Sequence, residues 1–173
     1  MAGRGHIPLT IRRATPADAA AVATIQVHGH RYAYRGLLPQ PESDEEWIAQ
    51  RTQAWLPQLA PEHERRTFVA ERDGAVIGFV TVGPAEHAPD IGHLFALYIE
   101  PEVIGSGVGA ALCEAGVAEL RARGCAHATL WVLEENAGAR RFYERAGWSF
   151  DRTRNDSVRD GRPRHEIRYA RAL

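Results

Sequence analysis

Apolar residues recur along the chain with two different periods. Alternation with a period of two predicts strands, and apolar residues three and four apart predict helices. Strands are predicted over residues 9–13, 67–72, 75–82, 93–99, 128–133, 148–154 and 165–171. Helices are predicted from about residue 15 to 30, 43 to 57, 108 to 123 and 136 to 147. The order of elements is therefore β-α-α-β-β-β-α-β-α-β-β.

Turn and capping residues sharpen several of these boundaries. Ser43 is followed three residues later by Glu46, which is a capping box and predicts the start of the second helix. The Asp73-Gly74 pair predicts a two-residue hairpin turn. Gly83-Pro84 is expected to end the next strand, with a polar loop over residues 85–92. The continuous apolar run at 128–133 is typical of a strand covered on both faces.

This order predicts a mixed α/β sheet. Three consecutive strands imply an antiparallel meander, and the strand-helix-strand that follows implies a parallel, right-handed crossover. Helices are then expected on both faces of the sheet. Residues 1–8 are expected to be a disordered tail and residues 9–173 a single domain, which suits a chain of 173 residues.

Composition narrows the function classes. The net charge of −1 argues against bulk electrostatic binding of nucleic acid. No apolar run approaches the roughly 18 residues that cross a membrane, and no apolar signal segment begins the chain. The histidines show no metal-ligand spacing, so no metal site is predicted. Cys113 and Cys125 are expected to be buried thiols in a reducing cytoplasm.

Charge is unevenly distributed. All 21 basic residues are arginine, and ten of them fall between residues 140 and 171, with five acids. Residues 36–102 hold 12 acids and four arginines. The acidic middle favours a cationic partner, although a solvated acidic face explains it equally well.

A glycine-rich loop is the first chemical motif. Gly105, Gly107 and Gly109 join a strand to the start of a helix, where backbone N–H groups can bind phosphate. A nucleotide-triphosphate loop requires a lysine, and the chain has none. A dinucleotide fingerprint fits Gly105, Gly107 and Ala110, but residues 101–104 separate it from the strand and too few parallel strands follow. A further interpretation is that this loop has only a structural, packing role and binds no ligand.

Residues 92–148 resemble the GCN5-related N-acetyltransferase (GNAT) family. GHLFALYIEP at 92–101 is similar to the family's fourth strand, and IGSGVG at 104–109 occupies its acetyl-CoA loop, Q/R-x-x-G-x-G/A. NAGARRFYERAGW at 136–148 is similar to the signature N-x-x-A-x-x-F-Y-x-x-x-G-F. The order of elements matches the family over nearly the whole chain. Ile104 departs from the usual Gln or Arg, and nearby arginines could compensate: Arg140, Arg141 and Arg145.

The resemblance implies an N-acetyltransferase fold in which the fourth and fifth strands splay apart. Acetyl-CoA would enter that space, and its acetyl group would pass to a primary amine by direct attack. The implied cofactor-binding residues are Leu97, Tyr98, Ile99, Ile104, Gly105, Ser106, Gly107, Val108, Gly109, Ala110, Asn136, Ala139, Phe142 and Tyr143. The partners implied are a small-molecule or peptide amine acceptor, with a homodimer as an option and with neither nucleic acid nor a membrane.

Two residues are candidates for proton transfer. The resemblance places Tyr143 beside the sulfur of CoA as proton donor, although its spacing also fits the apolar stripe of a packed helix. His93 is the first candidate for the base that deprotonates the amine, with Asp90 and Glu86 as substitutes.

The acceptor site and the activity are less determined. Tyr34 and Trp47, together with His93, are candidates for lining the acceptor pocket. The main alternative is an acyl-CoA-binding module without turnover. Transfer to oxygen, or transfer of a longer acyl chain, is also open.

Overall fold

A computed structural model describes residues 8–159 and 161–173. The strands are β1 (Thr10–Arg13), β2 (Arg66–Arg72), β3 (Ala75–Ala85), β4 (Ala88–Ile99), β5 (His127–Leu133), β6 (Ser149–Arg159) and β7 (Arg162–Ala172). The helices are α1 (Ala19–Ala33), α2 (Asp44–Gln58), α3 (Val108–Ala122) and α4 (Ala137–Arg145), with single 3-10 turns at Pro16–Asp18 and Pro101–Val103. The expected tail at residues 1–8 lies, apart from Pro8, outside the described residues.

The seven strands form one mixed sheet in the order β1-β2-β3-β4-β5-β7-β6. Every neighbouring pair is antiparallel except β4 and β5, which are parallel. Helices α1 and α2 pack on one face, around Val22, Ile25 and Phe79. Helices α3 and α4 pack on the other, around Leu112 and Leu130. The predicted fold class is therefore confirmed.

Local sequence signals account for several element ends. The Ser43 side chain accepts a hydrogen bond from the Glu46 backbone N–H at 3.2 Å, as the capping box predicts. Asp73 and Gly74 both have positive φ, 55° and 76°, which a type I′ hairpin turn requires. Gly124 ends α3 with φ of 83°.

The polar loop predicted over residues 85–92 is wrong. β3 continues through Gly83-Pro84 to Ala85, and β4 begins at Ala88. The last pair between β2 and β3 is Arg66 with Val82. Beyond Val82 that edge of β3 has no strand partner among the described residues, so proline can be accommodated there without removing a hydrogen bond to β2.

The last two strands are longer than predicted. Residues 155–164 were expected to be mainly loop, but they form a hairpin that pairs from Asn155 and Glu166 to Arg159 and Arg162. Most side chains on both faces of this hairpin are polar and exposed. The sequence therefore shows no alternation of apolar and polar residues here from which the strands could be predicted.

Strand β5 is not covered on both faces as predicted. Trp131 is 36% exposed, because α1 and α2 pack over β3 and β4 and leave this face of β5 open. Cys113 and Cys125 are buried and free, as expected.

Candidate active site

The central feature is a gap between β4 and β5. The two strands pair only at Gly92 with Ala128 and at His93 with Thr129, and then diverge toward their carboxyl ends. The register between β3 and β4 shifts immediately after this pair, leaving Phe95 as an extra residue. Such a bulge bends its strand. The splay implied by the sequence resemblance is present.

The open edge of β4 offers backbone groups to a ligand. Leu97, Tyr98 and Ile99 pair with β3 on one side, through Val80, Phe79 and Gly78. The described part of β5 pairs with none of these three residues. An extended ligand that carries amide groups could add to this edge as a further strand.

A backbone cradle lies at the end of β4. Gly105 and Gly107 have φ of 82° and 87°, and α3 begins without a side-chain cap at Gly107. The Ala111 N–H donates to the Gly107 carbonyl at 3.0 Å. The amides of residues 108–110 are therefore left for an outside acceptor, which is the geometry that binds phosphate. A Cβ atom at either glycine would meet nothing within 4 Å, so the positive φ is what favours glycine there.

The side chains of this loop contribute less than its backbone. Ile104 is 47% exposed. The Ser106 hydroxyl donates to the Val103 carbonyl at 2.6 Å. Arg140, one of the residues expected to compensate for Ile104, donates instead to the Tyr169 hydroxyl at 3.3 Å and to the Glu134 carbonyl at 3.1 Å.

Helix α4 closes the cradle from the side. The buried Asn136 accepts a hydrogen bond from the Ala139 N–H at 3.1 Å and so caps the helix through its Oδ1 atom. Phe142 packs on the first turn of α3, since a Cβ atom at Gly109 would lie 3.3 Å from its ring. These contacts bring the implied cofactor residues of α3 and α4 together beside the gap.

Three tyrosines from separate elements converge at the gap. Burial raises the pKa of Tyr143, and the Cys113 thiol and the Tyr34 hydroxyl raise it further. Burial likewise raises the pKa of Tyr98, with added contributions from Tyr34 and Tyr143. Tyr34 follows α1, and its pKa is raised by burial and partly restored by its interaction with Tyr98. All three hydroxyls are protonated at neutral pH.

His93 lies where the gap closes. Its Nδ1 atom is 2.9 Å from the Thr129 hydroxyl on β5. Burial lowers its pKa to about 4, and the positive charges of Arg65 and Arg168 act in the same direction. The imidazole is therefore neutral at pH 7.

The base candidates and the tyrosines occupy opposite ends of the gap. His93 precedes Leu97 by four residues, which is about 13 Å along an extended strand. Asp90 and Glu86 are exposed at the β3–β4 hairpin, beyond His93. Tyr34, Tyr98 and Tyr143 influence one another's pKa values, whereas none of the three base candidates is among the groups that shift the pKa of these tyrosines.

The aromatic residues predicted for the acceptor pocket contact one ring in common. The His30 ring lies 4.5 Å from that of Tyr34 and 5.0 Å from that of Trp47, measured between centroids. Beside them a cleft of about 580 Å³, including its open mouth, separates the α1–α2 loop from the β6–β7 hairpin. It is lined by His30, Leu37, Leu38, Pro39, Arg159, Arg162, Pro163 and Arg164.

Sequence reasoning missed the residues of β7 that face this cleft. Arg164 lines it, and the Glu166 carboxylate lies 3.7 Å from the Arg164 guanidinium. The alternation of charged residues at 162, 164, 166 and 168 was the available signal. The prediction of a loop before residue 165 hid the first half of this pattern, at residues 162 and 164.

Two kinds of site are not found in the described part of the chain. None of its His, Cys, Asp and Glu side chains form a group of three suited to a metal ion. None of its helices has the length and apolar character needed to cross a membrane.

Comparison with known sequences places the gap and the cradle in a family context. Residues 32–148 match the acetyltransferase (GNAT) family. Mycothiol acetyltransferase of Streptomyces avermitilis is 31% identical over 148 residues, which is 84% of this chain and 44% of that protein. The homologue of Thermobispora bispora is 41% identical over 91 residues, 49% of this chain and 31% of that protein. The chain spans between about a quarter and a half of the curated relatives it matches.

Solved structures share the architecture. PaiA N-acetyltransferase of Thermoplasma acidophilum, in complex with coenzyme A, superimposes with a TM-score of 0.79 and 17% identity. The match covers 96% of this chain and 100% of that one. YncA of Salmonella typhimurium, with acetyl-CoA as its cofactor, gives a TM-score of 0.67 and 20% identity over 95% of this chain and 94% of that one.

Proposed function

The chain belongs to the acetyltransferase (GNAT) family, and on that premise we propose that it transfers an acetyl group from acetyl-CoA to a primary amine by direct attack. The observation that carries the proposal is the combination of the gap with the uncapped start of α3. Strands β4 and β5 pair at only two positions, and the cradle of Gly105 and Gly107 lies at the end of β4. One extended ligand that ends in phosphates fits both features.

The residues around the gap provide hydrogen-bond donors for the phosphates and amides of that ligand. The amides of residues 108–110 would bind its phosphates, and the free edge of β4 at Leu97 and Ile99 would pair with its amides. Asn136 uses Oδ1 to cap α4, so its Nδ2 group is the part of the side chain that would donate. The cofactor supplies an activated acetyl thioester, and these residues orient it.

The acceptor amine must lose a proton before or during attack, since an alkylammonium group has a pKa of about 10.4. We propose that His93, with Asp90 and Glu86 as alternatives, accepts this proton through a chain of waters, since it lies apart from the tyrosines. A neutral imidazole can accept a proton, but a pKa of about 4 makes it a weak base. It therefore acts best once attack has begun and the N–H bonds have become more acidic.

Tyr143 is the proposed donor to the departing sulfur. Its raised pKa keeps the phenol protonated, and its hydroxyl makes no hydrogen bond within the described residues. A thiol has an ordinary pKa of about 8.5, below that of this phenol. The hydroxyl would accordingly stabilise the thiolate through a charge-assisted hydrogen bond.

A coenzyme-release assay on the full chain, against a panel of primary amines, tests the proposal beside calorimetric titration with CoA. We expect CoA to bind and at least one amine to give turnover. Binding without turnover on any amine would favour an acyl-CoA-binding module, and alcohols and longer acyl-CoA donors in the panel distinguish the other transferases. No CoA binding would overturn the proposal.

A further inference from the structure

One face of β7 carries a row of charged side chains. Ile167 and Tyr169 are buried in the core beneath α3 and α4. The residues that alternate with them therefore point to the opposite face, toward α1 and α2. That row consists of Arg162, Arg164, Glu166 and Arg168. Arg159 is paired with Arg162 across the hairpin and lies on the same face.

Arg164 is the least exposed member of the row. Its side chain is 19% exposed, and its Nε atom is buried with no hydrogen-bond partner among the described residues. The Glu166 carboxylate is the nearest acid, at 3.7 Å, which is beyond hydrogen-bond distance. A buried donor without a partner is costly, so this Nε–H group indicates a missing acceptor.

The surroundings of Arg164 are suited to an anion. Burial lowers the pKa of the neighbouring His30, and the positive charge of Arg164 acts in the same direction, so that imidazole is neutral. The same charge acts on the hydroxyls of Tyr34 and Tyr98. His30, which lines the cleft with Arg164, has its ring 4.5 Å from that of Tyr34, so the wall of the cleft is in contact with one of the tyrosines at the gap.

The acids of the middle segment do not enter this cleft. None of the 12 acids at residues 36–102 lines it or the adjoining cleft beside Leu133. Among the described residues, Glu166 lies beside Arg164 and Glu135 lines the adjoining cleft. The cationic acceptor that the charge distribution suggested is therefore not supported at this place.

We propose that the cleft between the α1–α2 loop and the β6–β7 hairpin binds an anionic group of the acceptor, a carboxylate or a phosphate, through Arg164 with Arg162 and Arg159. The bound acceptor extends its amine toward the tyrosines at the gap. This inference rests on the proposed acetyl transfer and names the class of its acceptor.

Binding is tested first, without need for turnover. ¹⁵N-detected resonances of the arginine Nε–H groups are followed while inorganic phosphate or glutarate is added to the CoA-saturated chain. CoA occupies the glycine loop, so phosphate cannot report from there. We expect the Arg164 resonance to shift in a saturable way, and the stronger of the two probes identifies the preferred anion.

Three variants make the titration specific. Arg164→Gln should abolish the saturable shifts of the neighbouring arginines, whereas Glu166→Gln should tighten binding several-fold because it removes the competing acid. Arg121→Gln, an exposed arginine on α3, should bind as the unaltered protein does. No saturable shift in the unaltered protein, or equal binding by Arg164→Gln, would overturn the proposal.

Turnover gives the second readout. Amino acids are compared with their carboxamides, and aminoalkyl phosphates with the corresponding amino alcohols. We expect kcat/KM to favour the anionic member of a pair by about tenfold or more, and this preference to vanish in Arg164→Gln but persist in Arg121→Gln. Equal or reversed preference would contradict the inference. Anion binding without CoA binding would refute acetyl transfer alone, and turnover restricted to uncharged amines would refute the anion site alone.

Discussion

Gly29 of α1 and Tyr98 of β4 are in such close contact that a Cβ atom on Gly29 would lie 2.7 Å from Cδ1 of Tyr98. The absence of a side chain lets the helix approach the strand at the point where the tyrosine enters the gap. Tyr98 in turn faces Tyr34, the first residue after α1. The position of Tyr98 beside Tyr34 therefore depends on the absence of a side chain at Gly29.

The Gly29→Ala variant should displace Tyr98 and lower turnover about tenfold, with a loss of stability of about 1–3 kcal/mol from overpacking. Gly116→Ala is the matched control, since its Cβ atom would lie 2.8 Å from Val82 on the opposite face of the sheet. Both variants should unfold at lower urea concentration, but only Gly29→Ala should lose activity per folded molecule. Full turnover by folded Gly29→Ala would show that Tyr98 is not sensitive to this contact.

The glycine loop gives a second prediction. Gly107→Ala should weaken CoA binding, as measured by calorimetry, and cost about 1–2 kcal/mol of stability because alanine resists the left-handed φ. Gly124 has nearly the same φ, 83°, and the same open surroundings at the other end of α3. Gly124→Ala should therefore lose similar stability and keep its CoA affinity. Equal CoA affinity in the two variants would show that the backbone cradle does not contribute to CoA binding.

The hydroxyl of Tyr143 is tested by its removal. Tyr143→Phe should bind CoA as tightly as the unaltered protein and turn over about 100-fold more slowly, within the usual range for loss of one hydrogen-bond donor to a developing negative charge. Tyr32→Phe removes an exposed hydroxyl near the acceptor side and should have no effect. Unchanged kcat in Tyr143→Phe would reject the donor role.

Sequence patterns predicted the parts of this site that rest on local backbone chemistry. Asn136 caps α4 and Gly107 opens α3 because each requirement is met within a few residues. Arg164 was missed because both faces of the hairpin are polar there and alternation gives no signal, and Glu166 was missed because its role depends on its position beside Arg164. The convergence of Tyr34 with Tyr98 and Tyr143 depends on helix-on-sheet packing, which no local pattern encodes.

His93 predicts how stability depends on pH. Its pKa is about 4 in the folded chain and about 6.5 when unfolded, so the unfolded state binds more protons between these values. Stability should therefore fall as pH falls from 6.5 to 4, by up to roughly 3 kcal/mol from this group. Urea unfolding across that range measures it. His93→Asn, which can still hydrogen-bond Thr129, should show a shallower dependence, and parallel curves would contradict burial of a neutral imidazole.

The same residue predicts a change in the pH dependence of turnover. His93→Ala should lower kcat and remove the acidic limb of the pH profile, since no imidazole is left to accept the proton. Asp90→Ala and Glu86→Ala, at the exposed β3–β4 hairpin, serve as comparison variants. If the pH profile is unchanged in His93→Ala but altered in Asp90→Ala or Glu86→Ala, the altered residue and not His93 is the base.

Only two residue pairs join β4 to β5, so this boundary is the most weakly paired one in the sheet. They form a seam between a four-stranded half, β1 to β4, and a three-stranded half, β5 to β7. A ligand that spans the seam cross-links the halves, so its binding free energy adds directly to their cohesion. Ligand binding and separation of β4 from β5 are therefore thermodynamically linked. Amide hydrogen exchange in β5 should slow when CoA is bound.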